Sequence, residues 1–239
     1  MNREDFYKII DEYSSKLQVK LNEKQKEQFF EYMNLLIEWN EKINLTAIIE
    51  PKEIILKHFI DSITISKYIK ENSYVADIGT GAGFPGIPLK ILRDDINIVL
   101  VDSLNKRINF LNEVIEKLEL KNITTIHARA EEFGRNKEYR EKFDIVTSRA
   151  VANLSTLSEY LLPIAKINGK CLCMKGPAAG EEIEKAQNAI KILGGRINNV
   201  YEFELPNSDI ERTIIEIEKI NKTASKYPRK AGIPSKEPL

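Results

Sequence analysis

Cysteine is scarce in this chain. The 239 residues hold two, Cys171 and Cys173, separated by a single leucine. Histidine is equally scarce, with only His58 and His127, so the side chains for a zinc shell are missing. A disulfide closing so short a loop is unfavourable in a reducing compartment. In an extended strand both thiols would point to the same face, and the pair reads as two small core residues. Long apolar runs are also missing. None approaches the roughly 20 residues of a membrane-spanning helix, and the charged opening MNREDFYKII lacks the apolar centre and cleavage site of a secretory signal. The expected location is cytoplasmic, with no membrane partner and no metal. Net charge is absent too, with 36 basic against 36 acidic residues. That balance argues at first against a polyanionic partner, but the charge is unevenly spread. From Lys219 to Leu239 there are six cations and one anion, Glu237, so this end carries +5 and the remaining residues −5. A basic tail on a neutral body can seek phosphate; by composition alone it reads as a solvated, poorly ordered terminus.

What is present is an ordinary globular composition, 42% hydrophobic and 30% charged, at a length that suits one α/β domain with an added subdomain. Residues 1–70 read as a helical subdomain. Phe29, Phe30, Met33, Leu36 and Ile37 recur at helical spacing. Asn22 can cap that helix, a break is expected at Asn44-Leu45-Thr46, and Pro51 suits the first turn of a helix running through His58. From residue 71 to 221 the rhythm becomes α/β. Strands are predicted at Tyr74–Ile78, Ile96–Val101, Ile123–His127, Phe143–Thr147 and Gly169–Lys175. Helices are predicted at Gly83–Arg93, Lys106–Leu120, Leu154–Ile164 and Glu181–Leu193. The alternation implies βαβ crossovers and a mostly parallel sheet. Val200–Leu205 and Arg212–Ile220, around the turn Pro206-Asn-Ser-Asp209, read as an antiparallel hairpin closing it. Residues 222–239 form the basic, proline-containing tail.

The most informative stretch is Asp77-Ile-Gly79-Thr-Gly81-Ala-Gly83-Phe84-Pro-Gly86, placed after a strand and opening a helix. Gly81 to Gly86 matches the G-x-G-x-x-G dinucleotide fingerprint, so a nicotinamide or flavin oxidoreductase is a rival reading. Two features weigh against it. Asp77 leads an acidic pattern similar to the methyltransferase cofactor loop, and an acid there suits a cationic sulfonium ligand better than a pyrophosphate. The bulky Phe84-Pro85 also sits where a pyrophosphate needs an open helix N-terminus. Asp102 ends the next strand, where a carboxylate accepts hydrogen bonds from ribose hydroxyls; capping the following helix is its alternative duty. After the third strand comes His127-Ala-Arg129-Ala130-Glu131-Glu132, at a place where methyltransferases commonly hold the adenine edge.

These segments, together with Trp39-Asn-Glu-Lys-Ile-Asn44-Leu-Thr46, His58-Phe-Ile-Asp61-Ser62, Gly86-Ile-Pro88, Ser148-Arg149-Ala-Val-Ala152 and the tail from Tyr227 to Leu239, resemble the bacterial small-subunit (16S) ribosomal RNA guanine-N7 methyltransferases, the glucose-inhibited division protein B family. The likeness runs through essentially the whole chain. The tail's Lys226-Tyr-Pro-Arg-Lys departs from the family's usual double arginine but keeps the charge. The resemblance implies a Rossmann-like class I methyltransferase fold with a seven-stranded sheet, S-adenosyl-L-methionine as cofactor, and small-subunit ribosomal RNA as partner; the small basic surface suggests that this RNA is met in an assembled ribonucleoprotein. It implies cofactor contacts at Gly79, Phe84, Ala130, Glu131 and Arg149, with Asp102 on the ribose. For Arg149 the alternative is a structural arginine paired with an acid. His58 and Asp61 read as a hydrogen-bonded pair joining the N-terminal helices to the body, and Lys175 as a rim lysine that meets RNA phosphate or merely faces solvent. A monomer is expected.

Guanine N7 carries an in-plane lone pair and no proton, so methylating it needs positioning and charge stabilisation rather than a general base. That matches a sequence without a recognisable triad. No Asn/Asp-Pro-Pro-Tyr/Phe follows the fourth strand to grip an exocyclic amine, and no Pro-Cys pair offers a nucleophile for cytosine C5. No catalytic residue is assigned beyond a positioning role for Arg149. A methyltransferase with a non-RNA substrate remains the alternative within the same chemistry.

Overall fold

The structure, a computed structural model, describes residues 1–177 and 179–239. Helix α1 (Arg3–Lys16) is followed by α2 (Glu23–Ile43), which opens on a capping box. The Asn22 side chain accepts the Gln25 amide at 2.9 Å, and Gln25 Oε1 accepts the Asn22 amide at 3.0 Å. Asn44 ends α2 in the left-handed region at φ 50°, which suits asparagine. Pro51 then starts α3 (Pro51–Ile54), which continues through a π-helical turn, Ile55–Ile60, into α4 (Asp61–Ile63). A π turn interrupts the regular i→i−4 ladder, and this one carries His58 and presents carbonyls to another part of the molecule.

The sheet contains β1 (Tyr74–Ile78), β2 (Asn97–Asp102), β3 (Ile123–His127), β4 (Phe143–Arg149), β5 (Ala165–Lys175), β6 (Gly195–Glu204) and β7 (Glu211–Lys219), in the order β3-β2-β1-β4-β5-β7-β6. All pairings are parallel except those of β7, which runs antiparallel to both neighbours. The hairpin closing the sheet is therefore as predicted. Crossovers are made by α5 (Gly86–Leu92), α6 (Asn105–Lys117), α7 (Ala130–Arg135), α8 (Leu154–Leu161) and α9 (Ala179–Ile192). Strand alternation sorts the core into two layers. Val75, Ile98, Leu100 and Met174 pack with the N-terminal helices and α6, whereas Ala76, Val99, Val101, Cys171 and Cys173 pack under α8 and α9. The cysteines share one face, as their spacing requires, and burial pushes the Cys173 thiol up to about 12. The N-terminal helices thus share a single core with one face of the sheet.

Composition misleads about the C-terminal segment, which packs onto the body and ends in α10 (Ile233–Lys236). All eight residues of α8 are buried. A helix buried all round needs cover on its outer side as well as from the sheet, and the tail supplies it. Thr156 Oγ1 donates to the Pro234 carbonyl at 3.0 Å and Ser155 Oγ to that of Leu239 at 2.6 Å. Two of the six cations counted at this end are internal. Lys219 is buried against the Leu162 carbonyl and the Thr223 hydroxyl, and Arg229 is paired with Glu159. Only Lys222, Lys226, Lys230 and Lys236 face solvent.

Candidate active site

The chain leaves β1 in one direction along the sheet, through β2 and β3, then returns to build β4 on the other side. Ligands bind at the carboxyl edge of such a reversal. Two adjoining cavities lie there. The smaller, about 360 Å³, is lined by residues at the ends of β1 and β2, by Ala130 and Glu131, and by Tyr160, Gly232 and Ser235. The larger, about 850 Å³, lies among the glycine loop, the residues after β4, and the segment from Leu45 to Asp61. Gly79, Arg107, Ala150 and Val151 line both, so the two form one cleft in two parts.

The glycine loop takes its shape from two carboxylates. Asp77 is fully buried. Its Oδ2 accepts the Thr80 hydroxyl at 2.6 Å and the Gly86 amide at 2.8 Å. Its Oδ1 has no partner, and burial pushes its pKa up to about 6 against the opposing effect of those two bonds. This corrects the sequence argument about Asp77. The acid staples the loop from beneath and does not line either cavity. Asp102 works from the other side. Oδ2 accepts the Gly81 amide at 2.9 Å and Arg107 Nη1 at 3.3 Å, and Oδ1 accepts the Leu104 amide at 2.9 Å. Three of its roughly four lone-pair sites are used, so the carboxylate anchors the loop and still presents one acceptor site, on Oδ1, to the smaller cavity. Gly79 sits at φ +69°, and a Cβ there would lie 2.6 Å from Val151 Cγ2. Glycine is required on both counts.

The six predicted contact residues come together in this cleft but divide between its parts. Asp102, Ala130 and Glu131 line the smaller cavity, Phe84 and Arg149 the larger, and Gly79 both. Glu131 is engaged by the protein itself, its Oε1 accepting the Gly232 amide at 2.7 Å. Phe84 is buried. It stacks on His58 with ring centroids 4.4 Å apart, and the Arg149 guanidinium lies 4.9 Å from its centroid. At the start of α5 the Gly86 amide is already taken by Asp77.

Arg149 reaches back into the N-terminal helices. Nη1 donates to the Lys57 carbonyl at 3.1 Å, within the π turn, and to Asp61 Oδ2 at 3.1 Å. The same Oδ2 accepts Arg212 Nε at 3.1 Å, while Asp61 Oδ1 is buried without a partner. His58 and Asp61 are therefore not paired with each other as expected; both are partners of Arg149. Arg149 Nη2 meets His58 Nδ1 at 3.3 Å. A guanidinium only donates, so Nδ1 must accept. The neutral ring then carries its proton on Nε2, 2.8 Å from the Thr46 hydroxyl. Lys175 also differs from expectation. Its ammonium group is bound to the Ala152 carbonyl at 2.6 Å and to Glu182 at 2.7 Å, with only 9% of the side chain exposed. It anchors the loop after β4 and is not free at the rim for phosphate. Sequence reasoning missed Arg212, Tyr160, Gly232 and Ser235, whose approach depends on long-range packing.

Burial, and then the charge of Arg149, hold the His58 pKa down to about 3. The unfolded chain takes up a proton near pH 6.5 that the folded chain refuses, so this stabilisation is complete above that pH and falls as the pH drops towards 3. At pH 5 the loss amounts to about 2 kcal/mol. Asp77 acts in the opposite sense, because its raised pKa favours the folded state as pH falls through 6. Comparison with a His58→Asn variant isolates the histidine contribution. In urea unfolding, the stability gap between wild type and variant should shift by about 2 kcal/mol between pH 7 and pH 5. A gap that stays constant would show that His58 titrates normally.

Solved structures share this architecture. TYW2 from M. jannaschii in complex with AdoMet superposes with a TM-score of 0.54 at 16% identity, covering 67% of this chain and 75% of that one. A SAM dependent methyltransferase from Aquifex aeolicus superposes with a TM-score of 0.51 at 20% identity, covering 70% and 93%. A carboxylate at the end of β2, a nucleoside-sized cavity beside it and a glycine loop with open space at the Gly81 Cβ position fit the adenosine portion of that cofactor. The fold is that of the class I S-adenosylmethionine-dependent methyltransferases.

The profile of the GidB family, rRNA small subunit methyltransferase G, matches residues 25–215. A protein named Ribosomal RNA small subunit methyltransferase G from Desulforamulus reducens is 55% identical over 232 residues, covering 96% of this chain and 97% of its own. The protein of the same name from Clostridium novyi is 49% identical over 242 residues, with both chains fully covered. The chain belongs to the GidB family. The oxidoreductase reading is set aside.

Proposed function

We propose that the enzyme transfers the methyl group of S-adenosylmethionine to N7 of a guanine in small-subunit (16S) ribosomal RNA, acting as a cytoplasmic monomer on an assembled ribonucleoprotein. Bound in the cleft, the cofactor supplies an electrophilic methyl group on a sulfonium. Asp102 receives the ribose hydroxyls, Ala130 and Glu131 border the adenine, Gly79 lets the backbone approach closely, and Phe84 and Arg149 stand on the side where the base enters.

One observation carries the reaction type. Every carboxylate and imidazole that lines the larger cavity, among the described residues, is already engaged. Asp61 is held by two arginines, Glu182 by Lys175 and the Leu154 amide, and His58 by Thr46 and Arg149. Each is tied to the protein by an ion pair or a hydrogen bond, and the one unpartnered oxygen of Asp61 is enclosed, while guanine N7 has no proton to remove. The chain's part is to hold the base in line and to stabilise the charge spreading over the purine. Four outward-facing tail lysines are a small basic surface for a phosphate backbone. Substrate choice therefore rests on a large assembled partner, since a base in folded RNA costs a few kcal/mol to unstack.

Small subunits from cells lacking the enzyme, treated with tritiated cofactor and digested to nucleosides, should yield label in 7-methylguanosine. A short isolated hairpin should be a poor substrate. Label in a different nucleoside would overturn the N7 assignment, and efficient methylation of the hairpin would overturn the requirement for an assembled particle.

A further inference from the structure

The inward face of the C-terminal segment is part of the smaller cavity. Gly232 and Ser235 line it beside Asp102, Ala130 and Tyr160. Two buried carboxylates hold the segment there. Glu131 takes the Gly232 amide at 2.7 Å, with Gly232 at φ +83°. Glu159, fully buried in α8, takes Arg229 at two points, Nη2 to Oε2 at 2.7 Å and Nε to Oε1 at 3.0 Å, and also the Arg229 amide at 2.7 Å. Arg140 binds the approach to the segment through the Thr223 and Tyr227 carbonyls, both at 2.7 Å. If the segment lifted away, the Glu159 carboxylate would lose every hydrogen-bond donor it has among the described residues.

A solvated tail needs neither a buried acid on α8 nor a bidentate arginine. We infer that the segment from Tyr227 to Lys236 is a working wall of the cofactor cavity, with Arg229 as a positioning residue that holds Gly232 and Ser235 against the nucleoside half of S-adenosylmethionine. This rests on the cofactor reading of the smaller cavity and is independent of the RNA substrate. Cofactor binding and docking of the segment are then linked, and each favours the other by the same factor.

The linkage can be read in the full-length protein with S-adenosylhomocysteine as the probe. Lys230 is exposed and lies two residues before Gly232, so trypsin cleavage after it reports undocking. Saturating probe should slow that cleavage about tenfold, with a midpoint equal to the calorimetric Kd. Arg229→Gln should weaken probe binding and raise the cofactor KM by about tenfold, with the loss in KM rather than kcat. Gly232→Ala leaves the ion pair intact and meets no atom within 4 Å, yet strains a positive φ. It should weaken binding in the same direction and guards against misfolding of the first variant. If the probe binds wild type but cleavage is unaffected, or both variants bind it as wild type does, the inference is overturned. Failure of wild type to bind the probe would overturn the cofactor reading and this inference with it.

Discussion

Replacing Asp61 by alanine is expected to cost about 3–5 kcal/mol of unfolding free energy, the cost of breaking a buried ion pair by removing one partner. The residue is only 2% exposed. One of its oxygens receives both Arg149 and Arg212, whose side chains are 13% and 22% exposed. Without the carboxylate two guanidinium groups are left close together with no anion between them. Burial already lowers the Arg149 pKa, an effect that Asp61 opposes. For a chain of this size the loss corresponds to a drop in Tm of about 10 °C. Asp61→Asn, which keeps an acceptor but not the charge, should lose less. Because Arg149 belongs to β4, Arg212 to β7 and Asp61 to α4, the alanine variant also loosens the N-terminal helices from the sheet edge that borders the larger cavity. Urea unfolding at neutral pH measures the effect. A change below about 1 kcal/mol would put this triad among surface ion pairs of little consequence.

The second large effect is expected on cofactor affinity. Asp102→Ala removes a charged acceptor in the smaller cavity and at the same time frees the Gly81 amide and Arg107. Hydrogen bonds to charged groups contribute about 1.5–3 kcal/mol each, so with the loop anchor also lost, the Kd for S-adenosylhomocysteine should rise about hundredfold. Asp102→Asn keeps one oxygen and should fall between. Calorimetry gives the affinities, and thermal melting separates them from any loss of fold. An alanine variant that binds within a factor of about three of wild type would mean the carboxylate serves only to cap the helix start.

Much of this architecture is legible in the chain because the relevant signals are local. The strands β1 to β4 are short apolar runs, the glycines open a helix directly after β1, and the Cys171–Cys173 spacing places both thiols on one face. Helix α7 escapes such reading, since six residues are too few to show a period. Strand β6 begins at Gly195 rather than Val200 because Asn198 and Asn199, at an irregularity in its pairing, spend their amides on the buried Glu216. The remaining differences concern partners of charged groups. Asp61 meets Arg149 across 88 residues and Arg212 across 151, and Arg229 meets Glu159 across 70. No periodicity links residues so far apart. The one local hint was Glu159, a lone acid in the otherwise uncharged Leu154–Leu161 stretch. Such a residue needs a cation from elsewhere, and here the tail provides it.

The most direct test of the account is the pH dependence of a single turnover on small subunits, with labelled cofactor and enzyme both in excess. The carboxylates and the imidazole of the larger cavity are committed to protein partners and N7 needs no base, so the rate of methyl transfer should be flat between about pH 6.5 and 8.5. A rate that climbs about tenfold per pH unit across part of that range would show that a proton must leave before the methyl group arrives, and would contradict both the chosen nucleophile and the reading of this cleft.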